Sequence, residues 1–222
     1  MSDLILDPSP AVRLVPRLML AAEVEARIEQ IWQAEQARLG DRLFDGPVHG
    51  LVSAGAGEIV LCPLRYRDVV ARRRDPGLTA QGLGPPPVGV TGVLSSPDGI
   101  VFGRRSGRVA ADSGLWEAAP SGVLSRPDPV AQLQEEMAEE LGLGPGDHER
   151  PVARALMLGE ASAEIVFSVV TALPAAAIQE RWRAGGSDEY SEIRVVRKAD
   201  IAAFLAEGGM LQGLGRILAL AG

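Results

Sequence analysis

The chain has 222 residues, a net charge of −7, and a composition that is 46% hydrophobic but only 4% aromatic. That suffices for one large domain, or a domain with an appended lobe, around a core of Leu, Val, Ala and Ile. The acidic balance excludes a broad nucleic-acid surface, which needs clustered cation. A single cysteine, Cys62, and two scattered histidines, His49 and His148, exclude an internal disulfide and a Cys- or His-based metal site. No run reaches the ~20 apolar residues that a membrane helix needs. The early apolar run VPRLMLAA is short and leads into EVEARIEQ, so a soluble, cytoplasmic protein with no membrane partner is expected. A small phosphorylated ligand held by a few Arg side chains and a metal remains compatible with the charge.

In chain order, residues 1–20 alternate Pro, Arg and apolar side chains and read as extended chain with an edge strand. Val24, Ile28, Ile31 and Trp32 recur at helical spacing over 22–38, with Trp32 as the core anchor. LFDGP (43–47) is a turn, and 48–53 and 58–63 are short strands around the Gly-rich AGAG. Residues 65–74 form a basic helix. Residues 75–87 hold four prolines and three glycines and read as a linker or long loop. They mark the boundary between a small N-terminal α/β lobe, 1–87, and a second domain, 88–222.

From Val88 the pattern changes. Two apolar strands flank the tight turn PDG, followed by a loop (GRVAADSG), the segment LWEAAPSGV and a helix. RALMLGE and AEIVFSVVTAL are further strands about a turn at GEAS. A short helix over 176–183, a loop and strand in GGSDEYSEIRVV, and closing helices over 199–220 complete the order. This predicts an α/β (α+β) sandwich with helices on a mixed sheet.

The central helix, DPVAQLQEEMAEELGLG, spans Asp128 to Gly144. Asp128 is a natural N-cap, Pro129 suits the first helical position, and Gly142, Gly144 and Pro145 supply the stop. Leu133, Met137 and Leu141 make the apolar stripe. Glu136, Glu139 and Glu140 project from one face, and Glu135/Glu139 and Glu136/Glu140 set like charges at i, i+4. Each such pair costs roughly 0.2–0.5 kcal/mol in an isolated helix. No Lys or Arg lies between Asp128 and Asp147 to offset them. A solvated acidic face is one reading of this pattern; a bound hard cation such as Mg²⁺, which takes oxygen ligands and keeps waters, is the other.

The stretch from PSGVLSRPDP through LQEEMAEELGL resembles the signature of the Nudix hydrolases. That pattern runs Gly, five residues, Glu, seven residues, Arg-Glu, an apolar residue, any residue, Glu-Glu, any residue, Gly and an apolar residue. Glu136, Met137, Glu139, Glu140, Gly142 and Leu143 match it. Ser121 stands at the first Gly with Gly122 beside it, Pro127 replaces the first Glu, and Glu135 replaces the Arg. Both members of the family's structural Glu–Arg pair are therefore missing while the metal-binding carboxylates stay. IW in the first helix, LFDGP, RYRD, VFGRRS, SAE and the GG–E loop before EIRVV further resemble a UDP-glucose-hydrolysing branch of animal Nudix enzymes, which also has an irregular box.

The resemblance implies a Nudix α/β/α sandwich with a mixed sheet, carrying the N-terminal lobe as its substrate- and base-recognising part. Mg²⁺ (or Mn²⁺) would be held by Glu136, Glu139 and Glu140, with a backbone carbonyl near Pro120–Ser121 as a further ligand. Glu139 and Glu140 would serve catalysis, and Glu140, Glu164 or Glu189 would orient or deprotonate the water. Ser121 and Gly122 would border the substrate. Arg104, Arg105 and Arg108 are candidates for the diphosphate; in a strand Arg104 and Arg105 face opposite sides, so at most one of those two reaches it. Tyr66, Arg67 and Asp68 are candidates for the uridine. The implied partner is a nucleotide-sugar and the implied reaction is hydrolysis of UDP-glucose or UDP-galactose to UMP and sugar 1-phosphate. The other readings are hydrolysis of ADP-ribose, NADH, CoA or a nucleoside triphosphate, and a nucleotide-binding module with little turnover. The apolar C-terminal run packs on its own core or on a second copy, so a homodimer stays open.

Overall fold

A computed structural model of the chain describes residues 3–109, 111–159 and 161–222. Ala110, in the expected loop 107–114, Glu160, in the expected turn 159–162, and Met1 and Ser2 lie outside the described residues.

The N-terminal part runs β1 (Leu4–Ile5), β2 (Ala11–Leu14), α1 (Ala22–Leu39), β3 (Pro47–Gly55), β4 (Glu58–Arg65) and α2 (Tyr66–Arg74). The rest runs β5 (Val88–Ser96), β6 (Gly99–Arg105), β7 (Trp116–Ala118), β8 (Ser121–Val123), α3 (Pro129–Leu141), β9 (Val152–Leu158), β10 (Ala163–Val170), α4 (Ala175–Gly185), β11 (Tyr190–Val196), α5 (Ile201–Ala206) and α6 (Leu214–Ala221). The main sheet has the order β1-β9-β10-β5-β6-β11. It is mixed: β10 and β5 are parallel and the neighbouring pairs on either side are antiparallel.

Strand alternation sorts the side chains of this sheet into two layers. Val88, Val90, Leu94, Val101, Ile165 and Phe167 pack with Leu133, Met137 and Leu141 of α3 and Ile178 of α4. Val93, Ile100, Phe102 and Val166 pack with Phe204 of α5 and Leu214 and Ile217 of α6. The outcome is a three-layer arrangement with helices on both faces of a mixed sheet, in keeping with the α/β sandwich that the element order predicts. Among the described residues no helix is long and apolar enough to cross a membrane.

The N-terminal lobe is a second sheet, β2-β4-β3, with α1 and α2 packed together through Val24, Ile28, Ile31, Trp32, Val70 and Ala71. Residues 75–87 do not behave as a linker. Leu78 and Leu83 are buried in the lobe's helix cluster, where a short 3-10 turn over Pro76–Thr79 and the Leu83 N–H donating to the Leu78 carbonyl fold the chain back after α2. The lobe is also joined to the main sheet. Leu4 of β1 pairs with Leu156 of β9, Leu51, Ile59 and Leu61 share the core of Val88 and Val90, and the His49 N–H group donates to the Leu124 carbonyl.

Two features of the main sheet position the site. First, β5 and β6 are paired only beside their turn, at Ser95↔Ile100 and Ser96↔Gly99. Beyond it they part, and the sheet forks: β7 pairs with β6 and β8 with β5. Second, the loop after β8 turns directly into α3, which lies across the fork.

Candidate active site

Helix α3 starts where its local chemistry dictates. The Asp128 carboxylate accepts from the Val130 and Ala131 N–H groups at 3.0 and 3.1 Å, with Pro129 following. Its end is Gly142, at φ 68°. Between the caps the four carboxylates fall into two rows. Gln132, Glu136 and Glu140 form a row directly beside the buried Leu133–Met137–Leu141 stripe, and Glu135 and Glu139 form the outer row. The single acidic face expected from the spacing is therefore divided: Glu140 is 1% exposed, Glu136 is half-buried and Glu139 faces solvent.

Glu140 reaches into the fork. One of its oxygens, Oε2, accepts from the Ser121 N–H at 3.0 Å and from the Tyr190 phenol at 2.9 Å. The other, Oε1, is buried and has no hydrogen-bond partner. Burial holds the Glu140 carboxyl well above the usual carboxylate range, and the neighbouring Glu136 and Glu189 carboxylates raise it further. Glu136 is oriented by Gln132, whose Nε2 donates to it at 2.8 Å. Gln132 is itself fixed, since its Oε1 accepts from the Ser125 N–H, the Ser125 hydroxyl and the Arg126 N–H. Burial, above all, pushes Glu136 up to about 7. Glu136 lies over Gly122, where any Cβ would overlap its carboxylate. That overlap gives Gly122 a steric reason to be glycine.

Glu189 comes from the loop before β11. That loop is pinned on two sides: the Ser187 N–H donates to the Glu139 carbonyl at 2.6 Å, and the Ser106 N–H donates to the Glu189 carbonyl at 2.7 Å. Arg108 is ion-paired with Asp188 of the same loop. Tyr190, the next residue, lies against Gly103 of β6, where a Cβ would sit 2.5 Å from the ring. Behind it Glu117 of β7 pairs with Arg105 Nη1 at 2.7 Å. Burial raises Glu117, and Arg105 opposes the rise.

The structure thus gathers Glu136, Glu140 and Glu189 around the fork, with the Ser121 N–H and Gly122 as its floor. Strand alternation puts Arg105 on this face beside Glu117, and Arg104 on the opposite face, where its Nε donates to the Gly114 carbonyl at 3.1 Å. Arg108 is at the loop rim. Glu139 is adjacent but turned outward. Gln132, Glu117 and Tyr190 belong to the site and are not among the residues singled out from sequence.

Other candidates are engaged elsewhere. Asp68 is 3% exposed; it accepts from the Arg65 N–H at 2.9 Å, closing the start of α2, and pairs with Arg17 at 3.1 Å. Arg67 is tied to Glu29 and Asp45, and half-buried Tyr66 packs between the lobe's clusters. Asp68 is thereby committed within the lobe, whereas Arg67 keeps a buried Nε without a hydrogen-bond partner. At the start of α3, Arg126 pairs with Glu135. It tethers the loop to the helix. As a partly exposed pair it is worth about 0–1 kcal/mol, and it removes one of the four like charges from the helix.

Glu164 shares its sheet face with Val166, on the α6 side, opposite to Glu136 and Glu140. It lies over Gly89, where a Cβ would overlap it, and accepts from the Thr91 hydroxyl at 2.5 Å. Burial pushes its carboxyl up to about 8 from 4.5. The folded state then holds a proton that the unfolded state has released above pH 4.5. The stabilisation is fully present below that value and is lost as the pH rises through about 8. The melting temperature should therefore fall between about pH 5 and pH 8. E164Q, which still accepts from Thr91, should lessen that fall, recovering on the order of a few kcal/mol at the alkaline end. Melting curves across pH for the two proteins test this; parallel curves would exclude it.

The donor set suits a hard divalent cation. All the candidate side-chain ligands are carboxylate oxygens, two carboxyls are held up in pKa by burial and by neighbouring carboxylates, and a buried carboxylate oxygen lacks any donor, while the Pro120 carbonyl accepts from the Gly92 N–H. Among the described residues no group of three or more His, Cys, Asp and Glu side chains is already disposed to hold a metal ion. Glu139 is exposed to solvent.

No protein-family model matches the chain, and no curated protein does. Solved structures do. A Nudix hydrolase from Nitrosomonas europaea matches at 15% identity over 60% of this chain and 68% of that one, with a TM-score of 0.41. The Nudix domain of Shewanella oneidensis NrtR, crystallised with ADP ribose, matches at 13% identity over 62% and 86%, with a TM-score of 0.45. A bifunctional NMN adenylyltransferase/ADP ribose pyrophosphatase from Francisella tularensis matches at 14% identity over 69% of this chain, with a TM-score of 0.45; the chain spans 47% of its length. These are likenesses of part of the framework, and what the site can do follows from its own residues.

Proposed function

We propose that the chain is a divalent-cation-dependent hydrolase of a nucleoside diphosphate derivative, with UDP-glucose or a related UDP-sugar as its first candidate substrate. The observation that carries this reading is the buried, donor-free Oε1 of Glu140 facing the Glu136 and Glu189 carboxyls. Oxygens so placed need either a shared proton or a cation. Glu136 and Glu140, joined by Glu139 after a rotamer change, would hold Mg²⁺ or Mn²⁺. When bound, such an ion supplies charge neutralisation at the phosphate oxygens and a lowered pKa for a coordinated water.

The residues of the chain supply the rest. The Ser121 N–H and Tyr190 hydroxyl fix Glu140. Gln132 fixes Glu136, and Gly122 leaves room for it. Glu189, on a loop and open to solvent, is best placed to accept a proton from the attacking water. Arg105 lies on the same face; it reaches a diphosphate only by sharing or leaving Glu117. Glu164, on the other side of the sheet, is a weaker candidate for the base.

The identity of the base and sugar is less constrained. The sequence resemblance favours UDP-glucose, whereas Asp68 and the Arg67 N–H, among the candidates for uridine, are hydrogen-bonded within the lobe. That commitment favours keeping ADP-ribose, NADH and CoA as a second reading of the same site. Purified protein given UDP-glucose and Mg²⁺ should release UMP and glucose 1-phosphate, measured by anion-exchange chromatography. Turnover of ADP-ribose alone would select the second reading. No turnover of any nucleoside diphosphate derivative with Mg²⁺ or Mn²⁺ would exclude hydrolysis.

A further inference from the structure

Tyr190 stands out among the residues that sequence reasoning did not single out. Its hydroxyl is the only side-chain donor to Glu140 among the described residues, and it reaches the buried carboxylate from the far edge of the fork. The second donor, the Ser121 N–H, goes to the same oxygen. A carboxylate has two oxygens and about four acceptor sites. Placing both donors on Oε2 and none on Oε1 is costly inside a protein unless Oε1 has something else to bind. The ring is also held in place. It lies against Gly103, with no room for a Cβ, and it is 4% exposed within the core under α3.

We propose that Tyr190 is a positioning residue: with the Ser121 N–H it anchors Glu140 by one oxygen, so that the other is presented to a divalent cation. This rests on the cation-dependent reading above. It goes beyond that reading by making the affinity of the site depend on a residue 50 positions from Glu140 in the chain. In this role Tyr190 acts through Glu140. Without its hydroxyl, Glu140 keeps one donor and can rotate about its last bond, so the unpartnered oxygen is no longer held in one direction.

The test is binding of Mn²⁺ alone, followed by the loss of the free-ion signal in electron paramagnetic resonance, so that no substrate need be known. The wild type should bind Mn²⁺ and E140Q should bind it far more weakly. Y190F, which removes only the hydroxyl, should bind about tenfold more weakly with a melting temperature within a few degrees of the wild type. G103A, which leaves the hydroxyl but displaces the ring, should weaken binding in the same sense and keeps the test open if Y190F folds poorly. Wild-type affinity in both variants would overturn the assignment. So would a Y190F protein with normal Mn²⁺ binding and a raised KM for nucleotide, which would make Tyr190 a substrate contact. A wild type that binds no Mn²⁺ would instead remove the cation-dependent reading, and the assignment with it.

Discussion

Glu140→Gln should lower turnover by at least about 10³-fold while leaving the fold intact or slightly more stable, a combination that separates a functional carboxylate from a structural one. The reasoning begins with what Glu140 costs the folded chain. It is 1% exposed, Oε1 has no partner, and burial with two neighbouring carboxylates raises its pKa well above the ordinary value. A buried charge without a compensating partner destabilises the native state. Gln keeps the shape, and its carbonyl oxygen still accepts from the Ser121 N–H and the Tyr190 hydroxyl, so the anchoring contacts survive. What disappears is the negative charge that a cation would neutralise. Thermal melts at pH 8 should thus show E140Q at or above the wild type, and Mg²⁺ should raise the melting temperature of the wild type but not of E140Q. A variant that melts well below the wild type, or one that retains turnover, would show that Glu140 is held in the fork for packing alone.

The parts of this site that are legible in the sequence are those whose signals are local. Asp128, Pro129 and Gly142 delimit α3 through contacts within a few residues, and the apolar stripe Leu133–Met137–Leu141 marks its buried face by periodicity. The Gly at 122 and the Glu at 189 come from the family resemblance. Periodicity alone does not divide the carboxylates, because Glu139 and Glu140 are adjacent on the helix and the sheet decides which of them is covered. Tyr190, Glu117 and Gln132 carry no local mark. Tyr190 meets Glu140 only because β11 pairs with β6 while α3 crosses the fork between β6 and β5. The same holds for Leu78 and Leu83. A stretch rich in Pro and Gly reads as a linker, but two leucines in it are buried against α1 and α2, and burial by distant helices is not visible in composition. The Arg126–Glu135 pair joins residues nine apart, across the entry to α3, a separation that no helical or strand periodicity marks.

Gly142→Ala should be the most damaging single-methyl addition near the site, and its effect on the reaction should follow from its effect on the helix. Gly142 ends α3 at φ 68°, a left-handed conformation that costs a residue with a Cβ about 1–2 kcal/mol. The space is closed as well. A Cβ at this position would lie 2.5 Å from the Arg181 carbonyl oxygen of α4, a backbone atom that cannot rotate away. Forcing two packed helices apart adds about 1–3 kcal/mol. Together these predict a melting temperature lower by roughly 5–15 °C for a chain of this size. Any relief requires α3 to withdraw from α4 and to move along its own axis. Such a movement carries Glu136 off Gly122 and Glu140 away from the Ser121 N–H and Tyr190. Turnover per folded molecule should therefore fall with stability. G146A offers the control: a Cβ there meets no atom within 4 Å, its φ is not positive, and it lies beyond the same helix end. It should change neither the melt nor the activity. If G142A melted like the wild type, α3 would end in a looser contact with α4 than the Arg181 carbonyl allows.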